Sequence, residues 1–172
     1  MSFLRWAMVC VPAVLLLGFL SGQSTRAEIG SWYAALNKPG WTPPNWAFPV
    51  AWTVLYILLG LALAVILNAR GAKGRAVGIG LFVAQLALNL AWTPVFFGAH
   101  NVRLALIIIA AMIGLTIGTM AAFRKVRPLA AGLMIPYLLW ICYAAALNWS
   151  ILQRNPDADK LAPGATSTQV IG

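Results

Sequence analysis

Five long apolar runs alternate with short polar segments along the chain. A helix that crosses a bilayer needs about 20 mostly apolar residues at a rise of about 1.5 Å each. The runs reach this length, and the only charge inside any of them is Arg5, at the start of the first. They are also continuous, unlike the alternating strands of outer-membrane barrels. The pattern therefore predicts an all-α membrane protein with a bundle of five transmembrane helices at about 4–20, 48–67, 76–97, 104–123 and 129–151.

The longest connection between these runs, residues 21–47, differs from an ordinary polar loop. It contains three prolines and the aromatics Trp32, Tyr33, Trp41 and Trp46. A disordered segment is poor in aromatic residues, and long loops in compact domains are commonly functional. We therefore expect a long structured loop between helices 1 and 2 that caps the membrane surface. The other connections are short, which places consecutive helices antiparallel and adjacent.

These elements predict one five-helix transmembrane domain over residues 1–154. The following residues, 155–172, are rich in Pro, Gly, Ser, Thr and Asp, and this composition predicts a disordered C-terminal tail. One alternative concerns the first apolar run, which also resembles a secretory signal peptide. The run is longer than the apolar core of such peptides, which spans roughly 7–15 residues, so a membrane helix is the preferred interpretation.

The composition excludes a soluble domain. Only 9% of the 172 residues are charged, against about 25% in soluble domains. The formal net charge is +9, and basic residues cluster between the runs at 70–75 and 124–127. Such clusters are typical of membrane flanks that contact anionic headgroups, so we expect the lipid bilayer as a partner and no nucleic acid. Seven Lys and Arg residues lie on the N-terminal side and five on the other, which favours a cytoplasmic N-terminus.

The apolar runs lack the side chains of acid–base chemistry. The acids Glu28, Asp157 and Asp159 lie outside the runs, and His100 lies in a short loop. Proton-driven transporters carry ionisable residues inside the membrane, so this class is disfavoured. The runs also hold no paired carboxylates, no nucleophile–base pair and no metal cluster. We therefore predict no metal site, no required cofactor and no conventional catalytic residue.

Uncharged polar and aromatic side chains share faces of three predicted helices. An unpaired amide in hydrocarbon is costly, so these faces should point inward and edge a cavity with indoles, phenols and amides. Such a cavity suits a large, flat, mainly apolar ligand, because stacking on indole needs no countercharge. Alternatively, the amides Gln85 and Asn148 only pair across helices, and Trp6 and Trp149 belong to an interfacial belt. The three faces are Phe48, Trp52 and Tyr56; Gln85, Asn89, Trp92 and Thr93; and Tyr137, Trp140, Ala144 and Asn148.

Small residues and prolines add two expectations about packing. Pro94 and Pro136 should bend the third and fifth helices and help to shape the cavity. Two small-xxx-small faces let helices approach closely, either inside the bundle or across a homodimer. They are Gly80 with Ala84, and Gly114 with Gly118.

Five segments in a fixed order carry a resemblance to a known family. They are WYAALNKPGWTPP at 32–44, VAWTVLY at 50–56, LNLAWTPVFFG at 88–98, PYLLW at 136–140 and LN at 147–148. In this order the chain resembles the TspO/MBR family, also described as translocator proteins or tryptophan-rich sensory proteins, in its bacterial form. The resemblance covers about residues 32–153.

The resemblance implies a five-helix membrane protein, commonly a homodimer, found in bacterial membranes or the mitochondrial outer membrane. It also implies binding of porphyrins such as protoporphyrin IX, or of similar small apolar ligands, between the helices and under the first loop. Trp52 and Trp140 match tryptophans linked to light-dependent porphyrin breakdown in some members. By the same resemblance the ligand-binding residues are Tyr33, Trp41, Pro43, Pro44, Phe48, Trp52, Tyr56, Asn89, Trp92, Thr93, Trp140 and Ala144.

Together the residues and the resemblance predict a receptor or regulator that binds tetrapyrroles, in their sensing or transport, in a bacterial cell membrane or an outer membrane. Three alternatives remain: light-dependent porphyrin degradation, facilitated transport of tetrapyrroles or sterols, and a scaffold that recruits proteins. Sterol binding is disfavoured, because the family's sterol motif needs a basic residue within five positions of its Tyr. The first basic residue after Tyr143 is Arg154.

Overall fold

The computed structural model describes residues 2–158 and is all-helical, with no strand in that part of the chain. Five helical segments are long and apolar enough to cross a membrane, which confirms the predicted fold class. The elements are α1 (Phe3–Gln23), α2 (Arg26–Gly30), α3 (Trp32–Ala35), α4 (Ala47–Asn68), α5 (Arg75–Thr93), a π-helical turn (Pro94–Gly98), α6 (Val102–Val126), α7 (Pro128–Leu133) and α8 (Ile135–Arg154).

The long helices form a closed ring in the order α1, α4, α8, α6, α5. Glycine allows the closest approaches in this ring. A Cβ on Gly60 of α4 would lie 2.7 Å from the Val11 Cα of α1, and a Cβ on Gly18 of α1 would overlap the Tyr56 ring of α4. A Cβ on Gly78 of α5 would lie 2.9 Å from the Phe123 ring of α6. The close packing of α1 against α4, and of α5 against α6, therefore requires glycine at these positions, because a larger residue would clash.

Both predicted bends coincide with interruptions of helical geometry. After Thr93, at the end of α5, the backbone continues from Pro94 as the π-helical turn. The fifth predicted run divides at Met134 into α7 and α8, and Pro136 lies in the first turn of α8. Proline is tolerated in a first turn because its missing N–H has no intrahelical acceptor there. The short α7 packs against α4 and α6, whereas α8 packs mainly against α6.

The segment between α1 and α4, residues 24–46, is called the lid below. It contains α2 and α3, and its Trp32 is 1% exposed. The Trp32 indole Nε1 donates to the carbonyl oxygen of Ala158 at 2.8 Å, and Asn155 exchanges two hydrogen bonds with Asn37. The predicted tail therefore begins too early, because Asn155 and Ala158 are buried and hydrogen-bonded to the lid. The rest of that prediction, residues 159–172, lies outside the described residues.

The outer surface of the ring is apolar. Leu16, Phe19, Val83 and Ile117 are all more than half exposed, as expected for side chains that contact lipid. Gly80 and Gly114 also face outward, with no atom within 4 Å of an added Cβ, whereas an added Cβ on Gly118 would meet Leu81. The chain is thus an integral, multi-pass membrane protein, and Gly80 and Gly114 on its outer surface are free of such intrachain contacts.

Candidate functional site

An aromatic cluster joins α4 to α8 beneath the lid. The Trp52 ring stacks on Tyr56, one turn along α4, with centroids 5.3 Å apart. Two rings of α8 also contact Trp52: Trp140 and Tyr137 meet it edge-on, with ring centroids 6.3 and 6.4 Å away. Phe48 meets Trp140 edge-on at 6.1 Å. The i, i+4 spacing on α4 thus brings together three predicted site residues and turns them toward α8.

A chain of hydrogen bonds forms the floor of this cluster. The Tyr56 hydroxyl donates to Asn89 Oδ1 at 2.8 Å, and Asn89 Nδ2 donates to the Tyr137 hydroxyl at 3.2 Å. All three residues are buried, where an unpaired polar group would be costly. Asn89 of α5 therefore fixes the positions of two phenols that belong to α4 and α8.

An apolar groove of about 480 Å³ opens between α4 and α8. Its two rims, Val54 and Leu139, are 51% and 66% exposed, so its open side faces the surrounding lipid. Trp140 contributes to both the groove and the aromatic cluster. The groove and the cluster are therefore continuous. The groove is lined by Ala51, Val54, Leu55, Pro136, Leu139, Trp140 and Tyr143.

The lid reaches the top of the groove through Trp41. The Tyr143 hydroxyl donates to the Trp41 carbonyl oxygen at 2.9 Å, and the two rings meet edge-on at 5.6 Å. Trp41 itself is 49% exposed. Pro43 is half-buried and Pro44 is exposed, so the predicted lid residues lie at the surface above the groove.

Tyr33 of the lid and Trp92 of α5 belong to a second aromatic cluster. Trp92 stacks on Phe96 at 4.9 Å and donates from Nε1 to Asn148 Oδ1 at 3.4 Å. Tyr33 meets Phe97 edge-on at 5.5 Å. Neither ring contacts Trp52 or Trp140 among the ring pairs of the described residues. These two predicted residues therefore lie in a neighbouring cluster, against which Phe48 and the groove residue Tyr143 also pack.

The remaining predicted residues lie close to the first cluster or between the two. Ala144 is half-buried and packs against the core that contains Tyr56 and Tyr137. Thr93 is half-buried at the end of α5. Of the two amides considered as helix–helix partners, Asn148 does pair across helices, because its Nδ2 donates to the Val102 carbonyl at 2.9 Å. Gln85 makes no such bond to a described residue.

Sequence reasoning missed Tyr143 and the groove residues of α4 and α8. Tyr143 lies three residues after Trp140 and therefore on the same helical face, a spacing that was available in the sequence. Val54 and Leu139 carried no signal, because an apolar side chain that lines a groove has the same character as one that contacts lipid. Tyr137 was noted beside Trp140 but was not assigned to the site.

Two titratable side chains of the lid, Tyr33 and Lys38, have shifted pKa values. Burial raises the pKa of the Tyr33 phenol to about 12, and the nearby Tyr143 adds to the rise. The Lys38 ammonium lies 4.7 Å from the Tyr33 ring centroid and donates to the carbonyls of Tyr33, Ala34 and Leu36. Burial lowers the pKa of Lys38. The hydrogen bonds of Lys38 stabilise the backbone conformation of the lid at α3.

His100 fastens the lid to the turn between α5 and α6. Its ring stacks on Trp32 at 4.5 Å, and Nε2 lies 3.1 Å from Glu28 Oε2. Its φ is +54°, and it is the only non-glycine residue with a positive φ among residues 2–158. Within that range no group of three His, Cys, Asp or Glu side chains is placed to hold a metal. The aromatic cluster and the groove thus lie beneath a lid that His100 attaches to the turn between α5 and α6.

A protein-family model and several known proteins are similar to this chain. The family model described as "TspO/MBR family" matches residues 10–154. The chain is 40% identical over 149 residues to "Tryptophan-rich protein TspO" of Chlorobaculum tepidum, covering 86% of this chain and 94% of that protein. It is 40% identical over 147 residues to "Tryptophan-rich sensory protein" of Cereibacter sphaeroides, covering 82% and 91%. It is 41% identical over 140 residues to "Translocator protein" of Ovis aries, covering 80% and 83%.

Proposed function

The chain belongs to the TspO/MBR family, and on that premise we propose that it is a membrane receptor or regulator that binds porphyrins. Protoporphyrin IX and related flat, apolar molecules are the proposed ligands, and tetrapyrrole sensing or transport in a bacterial cell membrane is the proposed role. The site is the cluster of Phe48, Trp52 and Trp140, together with the groove between α4 and α8. No cofactor is needed for this binding.

One observation carries the proposal: Trp140 lines a lipid-facing apolar groove, and the Trp52 ring meets Trp140 edge-on at 6.3 Å. A porphyrin is a wide aromatic plane, and its affinity for indole rests on area and stacking rather than on a countercharge. None of the residues that line the groove is charged. The groove also opens to the bilayer, which is where an apolar ligand concentrates.

The lid supports a binding role because it is attached to the site. Tyr143 lines the groove and holds the Trp41 carbonyl, so a ligand that moves Tyr143 also moves the lid. This connection gives a receptor a route from occupancy to a change at the membrane surface. The anionic edge of a porphyrin would lie toward that surface, where lysine and arginine side chains are found.

The direct test is an equilibrium titration of the detergent-solubilised protein with protoporphyrin IX in the dark, followed by tryptophan fluorescence. We expect saturable quenching, and we expect Trp52→Ala and Trp140→Ala each to weaken binding about 2- to 10-fold, as the loss of one aromatic pair worth about 0.5–1.5 kcal/mol predicts. Trp46→Ala is the matched control, because Trp46 is 68% exposed and lies outside the aromatic cluster. Absent saturation, or equal affinity in all four proteins, would refute the proposed site.

A second candidate function is light-dependent porphyrin degradation, and the contact between Trp52 and Trp140 favours it. An excited porphyrin accepts an electron from a neighbouring indole, and dioxygen is the oxidant that then consumes the macrocycle. Trp52→Phe and Trp140→Phe keep an aromatic ring and should slow bleaching more than they weaken binding. Bleaching at the unsubstituted rate in both variants, or bleaching that does not need dioxygen, would exclude this function.

A homodimer is part of the proposal, through the outward small-residue faces of α5 or α6. Gly80 and Ala84 are exposed on α5, and Gly114 is exposed on α6, so either face allows a second chain to approach closely. Gly80→Leu and Gly114→Leu should distinguish the two faces in a cross-linking experiment in lipid. Dimers that persist in both variants would remove both faces from consideration.

A further inference from the structure

Gln85 is the most isolated polar side chain in the bundle. It lies on α5, is 0% exposed, and both Oε1 and Nε2 lack a hydrogen-bond partner among residues 2–158. A buried amide without partners is rare in proteins, because the cost of removing it from water is not offset by any hydrogen bond. Inside a membrane no bulk solvent relieves that cost. The position therefore calls for a partner that is not a protein side chain.

A second buried polar group lies at the same height on the neighbouring helix. An added Cβ on Gly78 would meet Phe123 and Ala122, and an added Cβ on Gly118 would meet Leu81. These contacts show that α5 and α6 run antiparallel, and the same register places Gln85 of α5 at the level of Leu115 and Thr116 of α6. Thr116 is 0% exposed, and its hydroxyl also lacks a hydrogen bond within the described part of the chain.

These two groups adjoin the hydrogen-bonded floor of the aromatic cluster. Gln85 and Asn89 are one turn apart on the same face of α5, and the Thr116 hydroxyl lies beside the Tyr137 phenol without the geometry of a hydrogen bond. The chain Tyr56–Asn89–Tyr137 is already formed by protein groups. Gln85 and Thr116 therefore extend a polar path whose last members lack partners.

We propose that Gln85 and Thr116 form an internal binding site for a single water molecule between α5 and α6. Buried water makes about three hydrogen bonds and needs two to four polar partners. Gln85 Oε1, Gln85 Nε2 and the Thr116 hydroxyl supply an acceptor, a donor and a group that does both. The site does not depend on porphyrin binding. It places one ordered water molecule in the interior of the helical bundle.

The test is water-edited solid-state NMR on proteoliposomes that contain protein with 15N-labelled glutamine side chains. Gln23 and Gln153 are exposed and serve as hydrated references, and Gln85→Met identifies the Gln85 signal. The dry reference is the side chain of Asn148 in an asparagine-labelled sample, because its amide bonds to protein groups. We expect the Gln85 amide to receive magnetisation from water faster than Asn148 does. A rate equal to or slower than that of Asn148 would overturn the proposal.

A double-mutant cycle tests whether Thr116 shares the same water. Gln85→Met and Thr116→Val each keep the size of the side chain and remove its hydrogen bonds. If one water bridges both residues, each single variant should lower the melting temperature and the double variant should lower it no further than the worse single one. A rise in melting temperature for Gln85→Met would show a dry, unpaired amide and overturn the proposal. Additive losses would overturn the bridge to Thr116.

Discussion

Asn37 and Asn155 bind each other by two hydrogen bonds across 118 residues of sequence. The Asn37 N–H donates to Asn155 Oδ1 at 2.9 Å, and Asn155 Nδ2 donates to the Asn37 carbonyl oxygen at 2.9 Å. The Asn155 side chain thus pairs with backbone as a neighbouring strand would, and it joins the lid to the end of α8. The same Nδ2 also donates to the Ile151 carbonyl.

We expect Asn155→Ala to loosen the lid without unfolding the bundle. The change leaves the N–H and C=O of Asn37 without their partners, and each hydrogen bond contributes about 0.5–1.5 kcal/mol. Hydrogen exchange of the lid amides, measured by mass spectrometry, should accelerate, while exchange in α5 and α6 stays the same. Asn155→Asp keeps the acceptor and loses the donor, so its effect should be smaller. Unchanged lid exchange in Asn155→Ala would contradict the role of this pair.

Gly60→Ala should separate α1 from α4, because the new methyl group would lie 2.7 Å from the Val11 Cα. Overpacking of this kind costs about 1–3 kcal/mol. Gly80→Ala is the matched control. It adds the same methyl group to a helix where nothing lies within 4 Å, and it should stabilise the helix by roughly 0.5–1 kcal/mol. Thermal unfolding followed by circular dichroism compares the two, and equal shifts would contradict the α1–α4 contact.

Tyr33 makes the stability of the lid fall at alkaline pH. Its pKa is raised from 10 to about 12 by burial, so its contribution is complete below pH 10 and is lost as the pH rises to about 12. The lowered pKa of Lys38 has the opposite sign, because the charged form is disfavoured in the fold. Charged Lys38 therefore destabilises the folded lid at lower pH, and this cost is relieved as the pH rises toward 10.5, the ordinary pKa of lysine. Melting temperatures measured across this range should fall above pH 10, and Tyr33→Phe should fall less steeply. Parallel curves would contradict this assignment.

His100 combines a favourable contact with an unfavourable backbone. Stacking on Trp32 stabilises the turn, whereas a φ of +54° costs an L-residue roughly 1–2 kcal/mol. His100→Ala loses the contact and keeps the strain, while His100→Gly loses both. We therefore expect His100→Gly to be the more stable of the two by about 1 kcal/mol in a denaturation experiment. Greater stability of the alanine variant would refute this account.

The sequence predicted the five spans because apolar length alone determines them. It also predicted that Trp52, Tyr56 and Trp140 would meet, since helical spacing places the first two on one face and inward amides identify that face. It did not show that Trp92 turns toward Phe96 and Asn148. Trp92 shares its helical face with Asn89, and spacing does not say which neighbouring helix a given turn will meet.

The boundary at Asn155 was placed wrongly for a different reason. Pro, Asp and Ala after an apolar helix resemble a tail by composition, and the contacts that order them come from Trp32 and Asn37. Such partners lie more than 100 residues away, so no local pattern records them. The groove between α4 and α8 could not be predicted for a similar reason, since it depends on how two helices pack and most of its walls are ordinary apolar residues.

The hydrogen bonds from Trp32 and Asn37 to residues 155–158 also set an order of events during synthesis. The ribosome makes the lid early and its C-terminal partners last, after α4, α5, α6 and α8. Until then the indole N–H of Trp32 and the backbone of Asn37 have no acceptor or donor from that segment. The lid thus gains these contacts only after α8 has been made, and a chain truncated before Asn155 would lack them.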